Sequence, residues 1–407
     1  MQLIKTIKVK IHRPTNIKGR FLQLMHENAA LLNRYVELIL AHKIASKTEL
    51  HRFTYTRMRK ASALPSAIIQ TARDRAIEAH KSYCGRLKRG MKAAMPRFGK
   101  IVPVRLDGRT LQIKETDNKI KYFASIATKE GRVHVPLIGR RYQYKYLAKL
   151  MRKELQMGGA ELLKKGNDFY LYIAVKKEAA PCRADKDATP IAVDLGLVNL
   201  STSVILRGNK ATDITFHKGG NAIRMRNRFA AFRASLGKAK KLWRIKKVKE
   251  KERRWMSDLN HKIASAIVKQ AHEVANPVIV MEQLKHIRGR IKYSRKMNML
   301  LHMWGFARLQ SFIEYKAAWA GIPVAYVKAD YTSQCCSKCG HTEKANRHGR
   351  AFKCRKCGYE LNADVNAAIN IGKRYENFAS GYMPDATGGV AAPLTLKAVA
   401  YLGSPAL

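Results

Sequence analysis

The stretch Pro190-Ile191-Ala192-Val193-Asp194-Leu195-Gly196-Leu197-Val198-Asn199 decides the fold class. Ile191, Ala192 and Val193 form a short apolar run that ends on a carboxylate, and Gly196 then lets the backbone turn. The pattern reads as a buried strand that holds Asp194 stiffly at its end. Two further segments deliver acids in a similar way. Asn276-Pro277-Val278-Ile279-Val280-Met281-Glu282 is a second apolar strand closing on an acid. Leu361-Asn362-Ala363-Asp364-Val365-Asn366 opens a helix with Asp364 in its first turn. A lone Asp after a strand is most often a cap or turn residue. Three acids at the ends of apolar elements, in a chain with 29 Asp plus Glu against 79 Lys plus Arg, call for a counter-ion. The expectation is that Asp194, Glu282 and Asp364 meet and hold Mg²⁺ or Mn²⁺, hard cations that relieve carboxylate repulsion. Two such ions about 4 Å apart can activate a water and stabilise the leaving 3′-oxygen of a phosphodiester. Asp213, Asp258 and Glu273 lack this placement and read as structural, and His217, His261 and His302 read as packing residues.

Outward from this stretch, strands and helices alternate from 190 to 375, which argues for an α/β domain with a mixed sheet. Leu200 to Leu206 and Ile214 to His217 read as strands, and Lys218-Gly219-Gly220 breaks the chain. Residues 221–254 carry fourteen Lys or Arg against two Glu, with Phe229, Phe232, Leu236, Leu242 and Trp243 interleaved. They read as a basic helix with a narrow apolar seam, bent near Gly237 and continuing through Ile263, Ile267 and Ala271. Aromatics among so many cations point that helix at nucleic acid. Met297 to Ala320 reads as an amphipathic helix ended by Gly321-Ile322-Pro323, and Val324 to Val327 as a strand. Beyond Phe378 the Gly-, Ala- and Pro-rich sequence reads as a disordered tail.

The first half has another texture. Leu3 to Ile11 alternates, with Ile7, Val9 and Ile11 on one face, and reads as a half-buried strand. Helical spacing runs from Asn16 to about Ile44 and again from Leu50 to Arg89, with a break near Pro65. Ile101 to Leu106, Leu111 to Lys114, Lys119 to Ile126, Arg132 to Leu137 and Phe169 to Val175 read as strands, with turns at Gly108, Asp117-Asn118 and Gly131. The picture is a small β-barrel whose first strand is Leu3 to Ile11, with the helices inserted after it. Residues 178–189 read as a linker.

The 407 residues carry a formal charge of +50. Such a chain repels itself unless a polyanion neutralises it, and nucleic acid is that polyanion. A membrane surface fits less well, because the charge is spread over the whole chain. No apolar run reaches the roughly 18 to 20 residues of a membrane span, and no signal peptide is evident, so a cytosolic protein is expected. Five of the seven cysteines lie in residues 335–357. Cys336-Ser-Lys-Cys339 and Cys354-Arg-Lys-Cys357 are two Cys-x-x-Cys pairs fourteen residues apart, each followed by glycine. Four thiolates suit tetrahedral Zn²⁺ and leave no open position, so the zinc is expected to be structural. Cys335 is the spare; Cys84 and Cys182 are lone thiols.

Together, Asp194-Leu-Gly-Leu-Val-Asn199, the strand ending in Glu282, Thr332-Ser-Gln-Cys-Cys-Ser-Lys-Cys-Gly340, Cys354-Arg-Lys-Cys-Gly358 and Asp364-Val-Asn-Ala-Ala-Ile-Asn370 resemble TnpB of IS200/IS605-type transposons, a family related to the compact type V CRISPR effectors. The motifs cover residues 190–372; the first half resembles the family only in layout and basicity. Cys335 stands where the family usually has another residue.

The resemblance implies an RNase H-like RuvC nuclease with an inserted zinc ribbon, and a wedge β-barrel with an inserted helical recognition lobe. The fold class is thus α/β plus all-β and all-α lobes. The expected domains are the wedge at 1–12 and 96–180, the recognition lobe at 13–95, the nuclease at 190–331 and 359–377, the zinc ribbon contacting target nucleic acid at 332–358, and the tail at 378–407. Asp194, Glu282 and Asp364 fall on the catalytic Mg²⁺-binding positions, and Cys336, Cys339, Cys354 and Cys357 on the Zn²⁺ ligands. The implied partners are a guide RNA from the transposon end and double-stranded target DNA, cut beside a short transposon-adjacent motif. A monomer within the ribonucleoprotein, cytoplasmic and nucleoid-associated, is the expected form. The alternatives are a compact type V effector guided from a CRISPR array, and an RNA-guided DNA binder that does not cut. The presence of all three acids weighs against the latter. A DNA-strand transferase ranks below both.

Overall fold

The computed structural model describes residues 1–12, 17–44, 46–117, 119–180, 182, 184–185, 187–208, 210–284 and 305–379. Met297 to Trp304 of the expected helix, His302, Asn118, Pro181 and the tail beyond Ala379 lie outside them. The chain divides into two compact units, one spanning Gln2–Glu178 and the other running from Ala179. Among the described residues no helix is long and apolar enough to cross a membrane.

In the first unit β1 (Gln2–Ile11) is followed by α1 (Lys18–Ala41), α2 (Lys47–Ala61) and α3 (Ser66–Leu87). Then come β2 (Val104–Leu106), β3 (Leu111–Glu115), β4 (Tyr122–Thr128), β5 (Gly131–Ile138), α4 (Arg141–Met151), β6 (Gln156–Lys165) and β7 (Asp168–Glu178). The seven strands form one antiparallel sheet in the order β2-β6-β7-β1-β5-β4-β3. β1 pairs with β7 along nearly its whole length and with β5 only at Lys10 and Ile11, so it bridges two halves of the sheet. Its alternation puts Leu3, Ile7, Val9 and Ile11 in the core. Phe21, Met25, Leu32, Tyr35, Val36 and Ile39 of α1 are buried at helical spacing, and Phe21 packs on Phe169 with ring centroids 5.3 Å apart.

Two elements of this unit escape the sequence pattern. Tyr142, Tyr144 and Tyr146 alternate like a strand, yet Arg141–Met151 is the helix α4. The Gln143 side chain accepts the Arg140 N–H at 2.9 Å and starts the helix. β6 is hidden by Gly158-Gly159, residues depleted in strands. A register shift between Met157 and Ala160 absorbs the glycine pair, where a side chain at 158 would press on Ala174.

The second unit opens with β8 (Thr189–Asp194), β9 (Asn199–Arg207) and β10 (Lys210–Lys218), followed by α5 (Gly220–Lys238) and α6 (Leu242–His272). β11 (Pro277–Glu282), α7 (Phe306–Ala320) and β12 (Val324–Val327) complete a sheet of order β10-β9-β8-β11-β12. β10, β9 and β8 pair antiparallel, whereas β8, β11 and β12 run parallel. The apolar runs of β8 and β11 are continuous because both sheet faces are covered. Ile191, Val193, Ile279 and Met281 face Ile263 and Ile267 of α6 and Leu309, Phe312 and Ile313 of α7. Ala192, Val278 and Val280 face the other way, onto Val365, Ala368, Ile371 and Tyr375 of α8 (Ala363–Ala379).

The single basic helix expected over 221–254 is two helices. The chain breaks between Lys238 and Leu242, with Lys240 in the left-handed region at φ 52°. Arg233 and Glu252 pair across the two helices. The apolar seam is shorter than expected: Leu236 is buried, whereas Phe232, Leu242 and Trp243 are exposed. Among the histidines, His217 meets Ser201 Oγ at 3.0 Å and His261 stacks on Phe312 at 4.0 Å, packing roles in both cases. Asp258 pairs with Lys262 at 2.7 Å on the surface.

α8 lies so close to the sheet that a Cβ at Gly372 would overlap Leu206 Cδ1 and fall 3.2 Å from Ala192 Cβ. Alanine improves helix propensity by about 1 kcal/mol over glycine. Overpacking a buried contact costs about 1–3 kcal/mol, and Leu206, 1% exposed, has little room to turn away. Gly372→Ala is therefore expected to lower the melting temperature. The double variant with Leu206→Ala should lose less stability than the sum of the two single losses. Chemical denaturation of the four proteins of this cycle checks it.

Candidate metal centres and nucleic-acid interface

Each acid reaches its place through its own element. β8 and β11 are parallel neighbours with Val193 beside Met281, so Asp194 and Glu282 follow side by side at the C-terminal ends of two central strands. The turn after Asp194 closes tightly: a Cβ at Gly196 would stand 2.8 Å from the Asn199 carbonyl oxygen. Space is therefore what requires glycine at 196, since its φ is not positive. Asp364 sits in the first turn of α8, whose leading amides are capped by the Asn362 side chain, at 3.0 Å from Asp364 N and 3.3 Å from Val365 N.

The three carboxylates share one electrostatic neighbourhood. Burial, and then the Glu282 and Asp364 carboxylates, push Asp194 well above the usual carboxylate range, against a smaller downward pull from Arg347. Burial also raises Glu282, opposed by the Thr332 hydroxyl and the Arg374 and Arg347 guanidinium groups. Asp194 and Glu282 keep some surface open, whereas Asp364 is 6% exposed. Hydrogen bonds orient two of the acids. Asn199 Nδ2 donates to Asp364 Oδ2 at 2.9 Å, and Arg347 Nη2 donates to Asp364 Oδ1 at 3.0 Å. Thr332 Oγ1 donates to Glu282 Oε1. Like charge and desolvation disfavour ionisation of these acids, and carboxylate oxygens are the hard donors that a divalent cation takes.

Sequence reasoning gave no role to Asn199, Thr332 or Arg347. Asn199 and Thr332 stand within the motifs, so position alone could have flagged them. Arg347 is one cation among 79 and carries no sequence signal.

The four cysteines meet more closely than the acids. Among the described residues, Cys336, Cys339, Cys354 and Cys357 are the one group of three or more potential ligands whose ligand atoms all lie within 4.8 Å of one another. Sγ separations are 3.7 Å for Cys336–Cys357 and 3.6 Å for Cys339–Cys354. A tetrahedron with metal–sulfur bonds of about 2.3 Å needs about 3.8 Å, so the residues fit Zn²⁺. The two turns are built alike. Gly340 and Gly358 take φ 74° and 70°, and their N–H groups donate to Cys336 O and Cys354 O, both at 2.9 Å. Burial raises Cys354, but the Cys357 and Lys356 amides outweigh it and hold the thiol down to about 6; burial pushes Cys336 up to about 12. A three-stranded sheet of β13 (Arg347–His348), β14 (Ala351–Lys353) and β15 (Glu360–Asn362) supports the turns, with Phe352 buried between Cys336, Cys354 and Ala363. Cys335 is outside the cluster, its Sγ 3.4 Å from Gly340 O.

Two asparagines tie this ribbon to the helix carrying Asp364. Asn366 accepts the Ser337 N–H at 3.0 Å and donates to Cys335 O at 2.8 Å. Asn370 donates to Thr332 O at 2.8 Å and Cys335 O at 2.7 Å. Four residues apart, they stand on one face of α8. Cys354→Ser should therefore lose bound zinc and lower the melting temperature of the second unit, since a structural metal contributes folding free energy. Metal analysis with calorimetry checks this; unchanged zinc content and melting would contradict the four-thiolate assignment.

The family model described as Cas12f1-like, TNB domain matches residues 306–371. The chain is 26% identical over 355 residues to a CRISPR-associated endodeoxyribonuclease Cas12f1 of Sulfoacidibacillus thermotolerans, covering 81% of this chain and 82% of that protein. It resembles the fold of Cas12f1 in a cryo-EM structure of a Cas12f1–sgRNA–target DNA complex, with a TM-score of 0.59 at 20% identity over 88% of this chain and 83% of the other. It is 30% identical over 247 residues to the TnpB-like protein aq_aa05 of Aquifex aeolicus, covering 56% of this chain and 81% of that one. With motifs, fold and this coverage in agreement, the chain belongs to the TnpB-like family, akin to the compact Cas12f effectors.

Proposed function

We propose that this protein is an RNA-guided, divalent-metal-dependent endonuclease that cleaves double-stranded DNA beside a short transposon-adjacent motif, guided by an RNA from the transposon end. One observation carries the reading: Glu282, at the end of the strand parallel to that of Asp194, and Asp364, on a helix remote in sequence, both stand near enough to raise Asp194, in a chain of charge +50. The second unit is read as the RuvC nuclease with its zinc ribbon over 332–358, and the first as the wedge with its helical recognition lobe. Mg²⁺ or Mn²⁺ bound by the three acids would supply charge neutralisation and an activated water. Asn199 and Arg347 hold Asp364 in its orientation, and Thr332 holds Glu282. Sequence choice falls to base pairing, so the protein's task is to grip backbone, which suits its many lysines and arginines. One acid site serves both strands, which are cut in turn, and the protein acts as a monomer in a cytoplasmic ribonucleoprotein at the nucleoid.

The similarity to Cas12f1 over most of both chains favours one second reading, a compact effector guided from a CRISPR array. Sequencing the RNA that co-purifies separates the two.

Asp194→Ala is expected to cut guide-matched duplex DNA at least about a thousandfold more slowly, with guide and target affinity within about twofold of the parent. Single-turnover cleavage and filter binding on the reconstituted complex measure both. Binding that collapses together with cutting would reject the metal-site role.

A further inference from the structure

Glu282 is wrapped by the segment that follows β12. Gln283 N donates to Val327 O at 2.8 Å, Asp330 lies close enough to raise Glu282, and Thr332 donates to its carboxylate. Between Asp330 and Thr332 stands Tyr331, 64% exposed and in the left-handed region at φ 56°. That backbone is costly for a bulky residue and ordinary for Gly or Asn. The turn itself explains the conformation but not the side chain. Tyr331 O accepts the Gln334 and Cys335 N–H groups at 3.0 and 2.9 Å, which begins the first zinc knuckle and needs no side chain at all. Its neighbours pin the backbone there: Arg374 donates to Lys328 O at 2.7 Å and to Asp330 O, and Asn370 to Thr332 O. A large aromatic thus stays mostly in solvent, on a strained backbone, one residue from a contact of the acid site. Strain retained beside a site is a pointer to function.

We propose that Tyr331 is a positioning residue of the Asp194–Glu282–Asp364 site, its ring stacking on an unpaired base of the DNA strand that enters to be cut. The inference rests on the nuclease reading above and adds what that site grips. Every nucleobase has a π-face, so an aromatic ring fits a guide-programmed enzyme that must accept any sequence at the cut. The ring binds and orients the base; it moves no proton.

The test uses the full protein with its guide RNA. Tyr331→Leu and Tyr331→Asn are expected to slow single-turnover cleavage by about 5- to 150-fold, the loss of one base–aromatic stack. Tyr331→Phe and Tyr331→Trp retain the parent rate within about threefold. Tyr331→Asn, which suits the left-handed backbone, melts at or above the parent temperature, so its slower cutting is not a folding defect. In the non-cutting Asp194→Ala background, 2-aminopurine beside the scissile phosphate is quenched when Tyr331 is present and brightens once Tyr331→Leu is added. Parent cleavage rates in both the Leu and Asn variants, or unchanged 2-aminopurine emission, overturn the proposal while leaving the nuclease reading intact. Cutting that persists in Asp194→Ala instead overturns the nuclease reading, and this proposal with it.

Discussion

Helix α8 is the part on which both centres depend. Its N-terminal turn presents Asp364, its Asn366 and Asn370 amides hold the carbonyls of Thr332 and Cys335, and its inner face reaches the sheet through Gly372. A buried amide that satisfies two backbone carbonyls is hard to move, because each broken bond leaves a desolvated polar atom. The ribbon, the third acid and the sheet are therefore tied together through one helix. The same Thr332 whose carbonyl is held by Asn370 donates its hydroxyl to Glu282, so the tie extends to the second acid.

This arrangement also handles an electrostatic problem. Desolvation at the strand ends raises the proton affinity of Asp194 and Glu282, and neighbouring carboxylates add to it. Arg347, carried by the ribbon, is a fixed counter-charge on Asp364 at 3.0 Å. The excess of positive charge elsewhere is of a different kind. It is spread over exposed helix faces, such as those of α5 and the first half of α6, where water screens it until a polyanion replaces the water. Trp243, 61% exposed, illustrates that surface: Arg244 and Lys247 stand 5.1 and 4.9 Å from its ring centre.

Legibility followed the strength of local signals. The apolar strands ending in Asp194 and Glu282 could be read because a run buried on both faces has no polar alternation to confuse it. β1 and α1 showed clean periods of two and about 3.6. The twin Cys-x-x-Cys-Gly units marked the ribbon, since two turns with left-handed glycines have few other uses. Two elements went unread. α4 starts where the Gln143 side chain accepts the Arg140 N–H, and Gly158-Gly159 concealed β6 because a bulge accommodates what propensity disfavours. The break at 239–241 replaced a bend, with Lys240 in the left-handed region at φ 52°.

By itself the sequence determined the two apolar strands that end in Asp194 and Glu282, the four zinc-type thiols and the three acids, because burial on two faces and fixed ligand spacing leave their mark on residue type. Only the tertiary structure decided that Asp194 feels the Glu282 and Asp364 carboxylates, that Asn199 and Arg347 hold Asp364 while Thr332 holds Glu282, and that Tyr331 takes a left-handed backbone beside Thr332. The hydrogen bond between Asn199 and Asp364, for one, joins residues 165 positions apart. Nothing local records such relations, since the partner that gives each residue its meaning arrives only when the chain has folded.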